Sequence, residues 1–284
     1  MWIGALVARA AGAGEILREY QKTYHPERFY TLKIGIPWVD VENKLSTHQV
    51  LALCGDSGLL DRSDRSCTMG IDTGKDLHVV ISRRKDPKGE SITREVVWIG
   101  TVQSYEELDS LMDRYHISRC VIDAMPEIHA TRQFAKRHGG RVWLCYFNEN
   151  QKGSAKWDQE QHIVQVNRTE ALDAGKKGIR DAEVILPRRI PVVQTFAEHL
   201  ASDAKQLIED EETGAKSYRY IRTGTNHYSL AFCYDWLASE NDRVSYGGIV
   251  EVGDWGGTIM GGFIRAMRNE GAEWPPRWDR NRVF

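Results

Sequence analysis

Two short apolar runs in the middle of the chain each end in an aspartate. The first extends from Cys67 to Asp72 and the second from Cys120 to Asp123. Both runs lack the alternation of a half-buried strand and are bounded by polar or turn residues, which is typical of strands buried on both faces of a sheet. The pattern therefore predicts two interior strands that finish in a carboxylate.

The segment between these runs predicts a hairpin and a helix. Residues 77–84 and 95–102 have the composition of paired strands, and the Pro- and Gly-containing residues 85–89 between them indicate a turn. Ser104 is a good helix N-cap, and the apolar residues that follow it recur at spacings of three and four. The order up to Asp123 is therefore β-β-β-α-β.

A second helix and a fifth strand follow Asp123. Pro126 stands where the first turn of a helix tolerates proline, and Gly139-Gly140 marks the end of that helix at about His138. Residues 142–147 are again apolar and read as a strand. The whole segment predicts an α/β domain with a mixed sheet of five or more strands, flanked by helices, in the order β-β-β-α-β-α-β.

The remainder of the chain suggests three regions. Residues 1–66 have few periodic apolar positions and are predicted to be an arm that packs on the main domain, interpreted as the tail of a preceding domain. Residues 67–240 form the main domain, and residues 241–284 are a Gly-rich tail. Within the main domain, the pattern predicts one long helix from Val192 to about Glu209 and a strand over residues 216–222.

The two strand-ending aspartates are predicted to meet. A crossover from the hairpin through a helix is right-handed and would place the strand ending in Asp123 parallel to the strand ending in Asp72. Two neighbouring carboxylates repel each other unless a cation lies between them. The sequence therefore predicts a divalent-metal site at this edge of the sheet.

Composition excludes several other classes of protein. The 284 residues include 38 basic and 40 acidic ones, so any contact with nucleic acid must be local. The five cysteines form no CxxC pair, which favours buried thiols over a zinc site or a disulfide framework. No apolar run is long enough to span a membrane, and no phosphate-binding GxxxxGK[ST] loop is present. We therefore expect an intracellular protein without a membrane partner.

The order of elements and motifs resembles the nuclease domain of a tailed-bacteriophage terminase large subunit, a member of the ribonuclease H-like superfamily. The resemblance covers roughly residues 25–240. Its motifs are Phe29-Tyr30, Gly35-Ile36-Pro37, Gly70-Ile71-Asp72, Val121-Ile122-Asp123-Ala124, Asn167-Arg168-Thr169, Ile185-Leu186-Pro187 and His227-Tyr228.

The resemblance implies a site that holds two Mg²⁺ or Mn²⁺ ions. Asp72 and Asp123 match the family's two strand acids, but at the third acidic position this chain has Asn226 followed by His227. His227 is interpreted as a metal ligand or a general base, with a structural hydrogen bond as the alternative. Asn226 is either a weak carbonyl ligand, an ordinary N-cap, or a replacement that inactivates the enzyme.

The expected function is a metal-dependent endonuclease that cleaves double-stranded viral DNA during genome packaging in the host cytoplasm. The resemblance implies an ATPase domain, a small terminase subunit and a portal as partners. Basic residues expected to contact the DNA backbone are Arg84, Lys176, Lys177, Arg188 and Arg222. The alternatives are a junction resolvase or transposase-like nuclease of the same fold, and a packaging or DNA-binding module whose metal site has decayed.

Overall fold

The computed structural model describes residues 44–86, 92–209 and 216–245. The expectations for most of the N-terminal arm, for most of the hairpin turn at 85–89 and for the tail beyond residue 245 lie outside the described residues. The domain boundaries drawn from the sequence stay a prediction.

The described residues form ten strands and six helices. The strands are β1 Cys67–Asp72, β2 Leu77–Arg84, β3 Arg94–Val102, β4 Ile117–Asp123, β5 Val142–Phe147, β6 Lys156–Asp158, β7 Ile163–Val166, β8 Val184–Ile185, β9 Asp203–Glu209 and β10 Lys216–Arg222. The helices are α1 Thr47–Leu51, α2 Tyr105–Arg114, α3 Ile128–Arg137, α4 Arg168–Arg180, α5 Pro191–Ala201 and α6 His227–Ser245. Among them there is no helix long and apolar enough to cross a membrane.

Eight of the strands form one mixed sheet in the order β6-β7-β5-β4-β1-β2-β3-β8. Strand β1 is antiparallel to β2 and parallel to β4, and β4 is parallel to β5. Together with the element order β-β-β-α-β-α-β from β1 to β5, this arrangement confirms the predicted ribonuclease H-like fold class. Every residue of β1 is buried, as its continuous apolar run predicted.

Helix α6 lies directly along β1, and this packing positions the candidate site. Alternate residues of β1 face the helix, with Thr68 bonded to Asp235 and Asp72 bonded to His227. Gly70 lies between them, and a Cβ atom there would stand 2.1 Å from the carbonyl oxygen of Ala231. Glycine is therefore required for the helix to approach the strand so closely.

The prediction of one long helix from Val192 to about Glu209 is wrong. Helix α5 ends at Ala201, and β9 begins at Asp203 and pairs with β10 in an antiparallel two-stranded sheet. Residues 203–209 carry Ala, Lys, Gln, Leu and Glu, which all favour helices as isolated residues. Antiparallel pairing with β10, the next strand along the chain, decides their conformation and overrides the helix propensity of the individual residues.

Candidate metal centre

Asp72 lies at the centre of the site because β1 is an interior strand with a partner on each side. On one side, Asp72 is the register partner of His78 in the antiparallel strand β2. On the other side, Ile71 pairs with Ile122 in the parallel strand β4, so that Asp123 is the next residue along. Adjacent strands lie about 4.8 Å apart. The sheet therefore brings Asp72, His78 and Asp123 to one edge.

Both carboxyl groups are held in a partly dehydrated environment. Burial raises the pKa of Asp72, against the opposing effect of its hydrogen bond with His227. Burial and, to a smaller extent, the negative charge of Asp72 raise the pKa of Asp123 to about 6, against the lowering effect of the Met125 N–H, which donates to Asp123 Oδ1 over 3.1 Å. A divalent cation would stabilise both ionised forms. These two residues therefore have the charge and position of metal ligands.

His227 reaches Asp72 from the first turn of α6. Its Nδ1 lies 2.8 Å from Asp72 Oδ2, and the His227 side chain is 38% exposed. This hydrogen bond raises the pKa of His227, against the lowering effect of burial. The imidazole is thus joined to the central carboxylate and is also open to solvent, as a ligand or a proton-transfer group must be.

Asn226 is not brought to this centre. Its Nδ2 donates to Asp203 Oδ1 over 2.7 Å in a buried setting, and the Ser229 hydroxyl donates to the same carboxylate. The Lys176 ammonium lies 3.4 Å from Asp203 Oδ2. Asn226 therefore helps to anchor the start of α6, and this contact does not favour the metal-ligand prediction for it.

His78 and Arg168 belong to the site but were missed from the sequence. His78 stacks on His227 with ring centroids 4.5 Å apart. The positive charge of Arg168 lowers the pKa of both Asp72 and Asp123, and its guanidinium donates to the Tyr220 carbonyl oxygen over 3.2 Å. The hairpin prediction contained a signal for His78, since a tight turn between Asp72 and Leu77 makes it a cross-strand neighbour of Asp72. Arg168 stands in the motif Asn167-Arg168-Thr169, but nothing in that motif marked its effect on the two carboxylates.

The basic residues predicted to bind DNA are not all on the surface. Lys176 is 2% exposed and its Nζ donates to the Leu200 carbonyl oxygen over 2.7 Å, and this burial does not favour the DNA-contact prediction for it. In the sequence, Lys176 lies beside Lys177, which is exposed, and the pair suggested a basic surface. In the structure, the Lys176 ammonium is buried because it pairs with the buried carboxylate of Asp203. Arg188 is exposed and Arg84 is half-buried.

Arg222 is the predicted basic residue that lies nearest the site. It is exposed, and it lines an open cleft of about 440 Å³ together with His227 and residues 223–225. Its positive charge lowers the pKa of Asp72. A phosphate group in this cleft would therefore meet Arg222 beside the carboxylate–histidine centre.

Fold and site together define a ribonuclease H-like protein with a carboxylate–histidine centre at the edge of its sheet. No protein-family model matches the sequence, and no curated protein matches it. The solved structures that match it with a probability of 1.00 are all large terminases or their nuclease domains from thermophilic phages.

Three of these structures show the degree of similarity. The large terminase nuclease from phage G20c is 12% identical with a TM-score of 0.42, over 67% of this chain and 97% of that one. Its form with bound magnesium is also 12% identical, with a TM-score of 0.40 over 69% and 96%. A large terminase from another thermophilic bacteriophage is 10% identical with a TM-score of 0.40, over 82% of this chain and 54% of that one.

We expect Asp123→Asn to stabilise the metal-free protein at neutral pH. The pKa of Asp123 is about 6 in the folded protein and about 3.9 in an unfolded chain, so the wild type loses stability as the pH rises between these values. Asparagine retains an acceptor for the Met125 N–H without the charge. Because Asp123 is only partly buried, the expected gain in unfolding free energy is about 1 to 2 kcal/mol at about pH 7.

The measurement is thermal unfolding in the presence of a chelator at about pH 4 and about pH 7. The gain should be present at the higher pH and nearly absent at the lower one. Exposed Asp113 on α2 provides the matched control, Asp113→Asn, for which no pH-dependent gain is expected. An equal gain for Asp123→Asn at both pH values would show that its charge is not the cause.

Proposed function

We propose that this protein is a metal-dependent endonuclease that cleaves double-stranded DNA, as the nuclease domain of a terminase large subunit does. The observation that supports the proposal is the meeting of Asp72 and Asp123 at the ends of neighbouring parallel strands, with His227 bonded to Asp72. This arrangement joins acidic ligands to a proton-transfer group beside an open cleft. Phosphodiester hydrolysis by metal-ion catalysis requires these components.

The residues present fit a divalent-metal cofactor, Mg²⁺ or Mn²⁺ at two positions. Asp72 would hold both ions because it lies centrally, and Asp123 would hold the one on the β4 side. When bound, such ions polarise the phosphoryl group and neutralise charge that develops on the attacking and leaving oxygens. His227 would hold an ion or move a proton to or from water, as its contact with Asp72 permits.

The surrounding cations would hold the DNA backbone. Arg222 shares its cleft with His227, and Arg168 acts electrostatically on both carboxylates. Both are suited to phosphate oxygens and carry no information about base sequence. Exposed Lys177 and Arg188 and half-buried Arg84 are further candidates for weaker backbone contacts.

Within genome packaging, the proposed role is to cut concatemeric viral DNA in the host cytoplasm. An ATPase domain, a small terminase subunit and a portal would then be its partners. This part of the proposal rests on the resemblance of the sequence motifs to terminase large subunits, together with the strand order.

A junction resolvase of the same fold is the second candidate, since some related resolvases have a histidine at the position of His227, which contacts Asp72 here. The third candidate is a DNA-binding module whose metal site has decayed, because Asn226 replaces the family's third acidic residue. The hydrogen bond from Asn226 to Asp203 gives the asparagine a structural role, so the decayed module has less support.

The test is cleavage of linear duplex DNA and of a four-way junction by the purified chain with Mg²⁺, with Mn²⁺ and with a chelator. We expect cutting of the linear duplex with Mn²⁺ and slower cutting with Mg²⁺, without preference for the junction, and no cutting with the chelator. Preference for the junction would support the resolvase. Retention of DNA without any metal-dependent cutting would contradict the nuclease proposal and support the decayed module.

A further inference from the structure

The two sides of Asp72 differ in the atoms that they offer to a metal ion. Toward β4, Asp123 offers carboxylate oxygens. Toward β2 and α6, the neighbours are the imidazoles of His78 and His227. One donor atom from each of Asp72, His78 and His227 lies within 4.8 Å of those of the other two. The second side is therefore rich in nitrogen.

His78 has a buried ring nitrogen on the side of Asp72 that adjoins β2. Its Nδ1 makes no hydrogen bond of good geometry with the described residues. A buried nitrogen that is poorly satisfied is unfavourable, and coordination of a metal ion would remove that cost.

The third histidine of the cluster, His199, does not join this set. The ring of His199 lies 6.2 Å from that of His78 and 6.3 Å from that of His227. Its Nδ1 accepts a hydrogen bond from the backbone N–H of Tyr228 over 3.2 Å. His199 therefore supports the start of α6 and leaves Asp72, His78 and His227 as the ligands.

Two imidazoles and one carboxylate select among divalent cations. Mg²⁺ prefers oxygen ligands in octahedral geometry, whereas imidazole suits Zn²⁺ and other first-row transition metals. Around a four-coordinate ion, ligands at 2.0 to 2.2 Å stand about 3.3 Å from one another. The present spacing of up to 4.8 Å thus requires side-chain movements of about 1 Å, and the bond between Asp72 and His227 would be exchanged for bonds to the ion.

We propose that Asp72, His78 and His227 form a site for a divalent transition-metal ion such as Zn²⁺ or Co²⁺, and that this site discriminates against Mg²⁺. The proposal deepens the nuclease function and rests on it for the biological purpose of the ion. Three protein ligands leave a coordination position for water or a phosphate oxygen. Mg²⁺ would be restricted to the oxygen-rich side between Asp72 and Asp123.

The test is a titration of the chelator-treated full chain with Co²⁺, followed by visible absorption. We expect one tightly bound Co²⁺ per chain, displaced by Zn²⁺ but not by a roughly thousandfold excess of Mg²⁺. His78→Ala and His227→Ala should each weaken Co²⁺ binding at least about a hundredfold. The matched control is His48→Ala, at an exposed position on α1, which should bind Co²⁺ as the wild type does.

The results separate this proposal from the nuclease function. Co²⁺ binding that both histidine variants retain, or that equal concentrations of Mg²⁺ abolish, would overturn the metal-selectivity proposal even if the chain cleaves DNA. Histidine-dependent Co²⁺ binding by a chain that never cuts DNA would leave the site standing and remove the nuclease function. Circular dichroism of His78→Ala and His227→Ala shows whether a loss of Co²⁺ binding is caused by a loss of folding. If one of these variants does not fold, the Co²⁺ affinity of the other tests the proposal.

Discussion

Asp72→Asn should reduce the rate of metal-dependent DNA cleavage roughly a thousandfold. Asp72 is the residue shared by both sides of the proposed centre, since it adjoins Asp123 through β4 and both His78 and His227 on its other side. Metal ions supply several kcal/mol of charge stabilisation in the transition state, and 1.36 kcal/mol corresponds to a tenfold change in rate. A neutral amide is a poor ligand for these ions, so most of this stabilisation should disappear.

The substitution preserves shape, so its effect on folding should be small. Asparagine has nearly the volume of aspartate, so it fits the buried position of Asp72, which is 3% exposed. Its side chain can still form a hydrogen bond with His227. The measurement is the initial rate of plasmid cleavage with Mn²⁺, with Asp113→Asn on the surface of α2 as the matched control. Cleavage by folded Asp72→Asn at the wild-type rate would falsify the assignment of Asp72 to the catalytic centre.

Asp203→Ala should lower the unfolding free energy by about 3 to 5 kcal/mol. The Asp203 side chain is fully buried and lies 3.4 Å from the Lys176 ammonium, whose own side chain is 3% exposed. It also accepts hydrogen bonds from Asn226 and Ser229 at the start of α6. Among the described residues, removing the carboxylate would leave a buried positive charge with the Leu200 carbonyl oxygen as its remaining hydrogen-bond acceptor. An uncompensated buried charge is among the most destabilising of single changes.

Urea unfolding of Asp203→Ala measures this effect, and a second substitution tests its cause. If the unpaired ammonium is responsible, Lys176→Met in the Asp203→Leu background should restore most of the lost stability, because a well-packed apolar pair can replace a buried ion pair. The exposed pair of Lys177 and Asp181 on the same helix is the matched control, and Asp181→Ala should leave the urea midpoint unchanged. A double variant no more stable than Asp203→Ala would show that the unpaired charge is not the cause, and that the hydrogen bonds from Asn226 and Ser229 account for the loss.

The strands that carry the two acids were predictable because burial on both faces leaves a clear pattern. The run from Cys67 to Asp72 was predicted with the bounds that the structure shows, and β4 extends three residues earlier than the predicted run, to Ile117. Ser104 accepts a hydrogen bond from the Glu107 N–H, as its prediction as an N-cap requires. These features depend on neighbours within a few residues, so local chemistry is sufficient to predict them.

Other features depend on contacts between separate elements of the fold. The strand β9 forms because β10 pairs with it, and Lys176 is buried because Asp203 lies inside. Asn226 also donates a hydrogen bond to the Asp203 carboxylate, and no spacing in the sequence reveals this contact. Sequence patterns report how often a residue type adopts a conformation, whereas these outcomes depend on one particular contact across the fold.

The sequence by itself determined the element order from β1 to β5, the fold class that follows from it, and the convergence of two strand-ending aspartates. Periodicity, capping and the handedness of crossovers are short-range rules, and they are sufficient for those features. Only the tertiary structure decided that His227 contacts Asp72, that His78 stacks beside it and that Asn226 points to Asp203. The contact between His227 and Asp72 arises from the packing of α6 against β1, which requires the close approach at Gly70 and brings together side chains 155 residues apart. The contact between Asn226 and Asp203 arises because the starts of α6 and β9 lie beside each other.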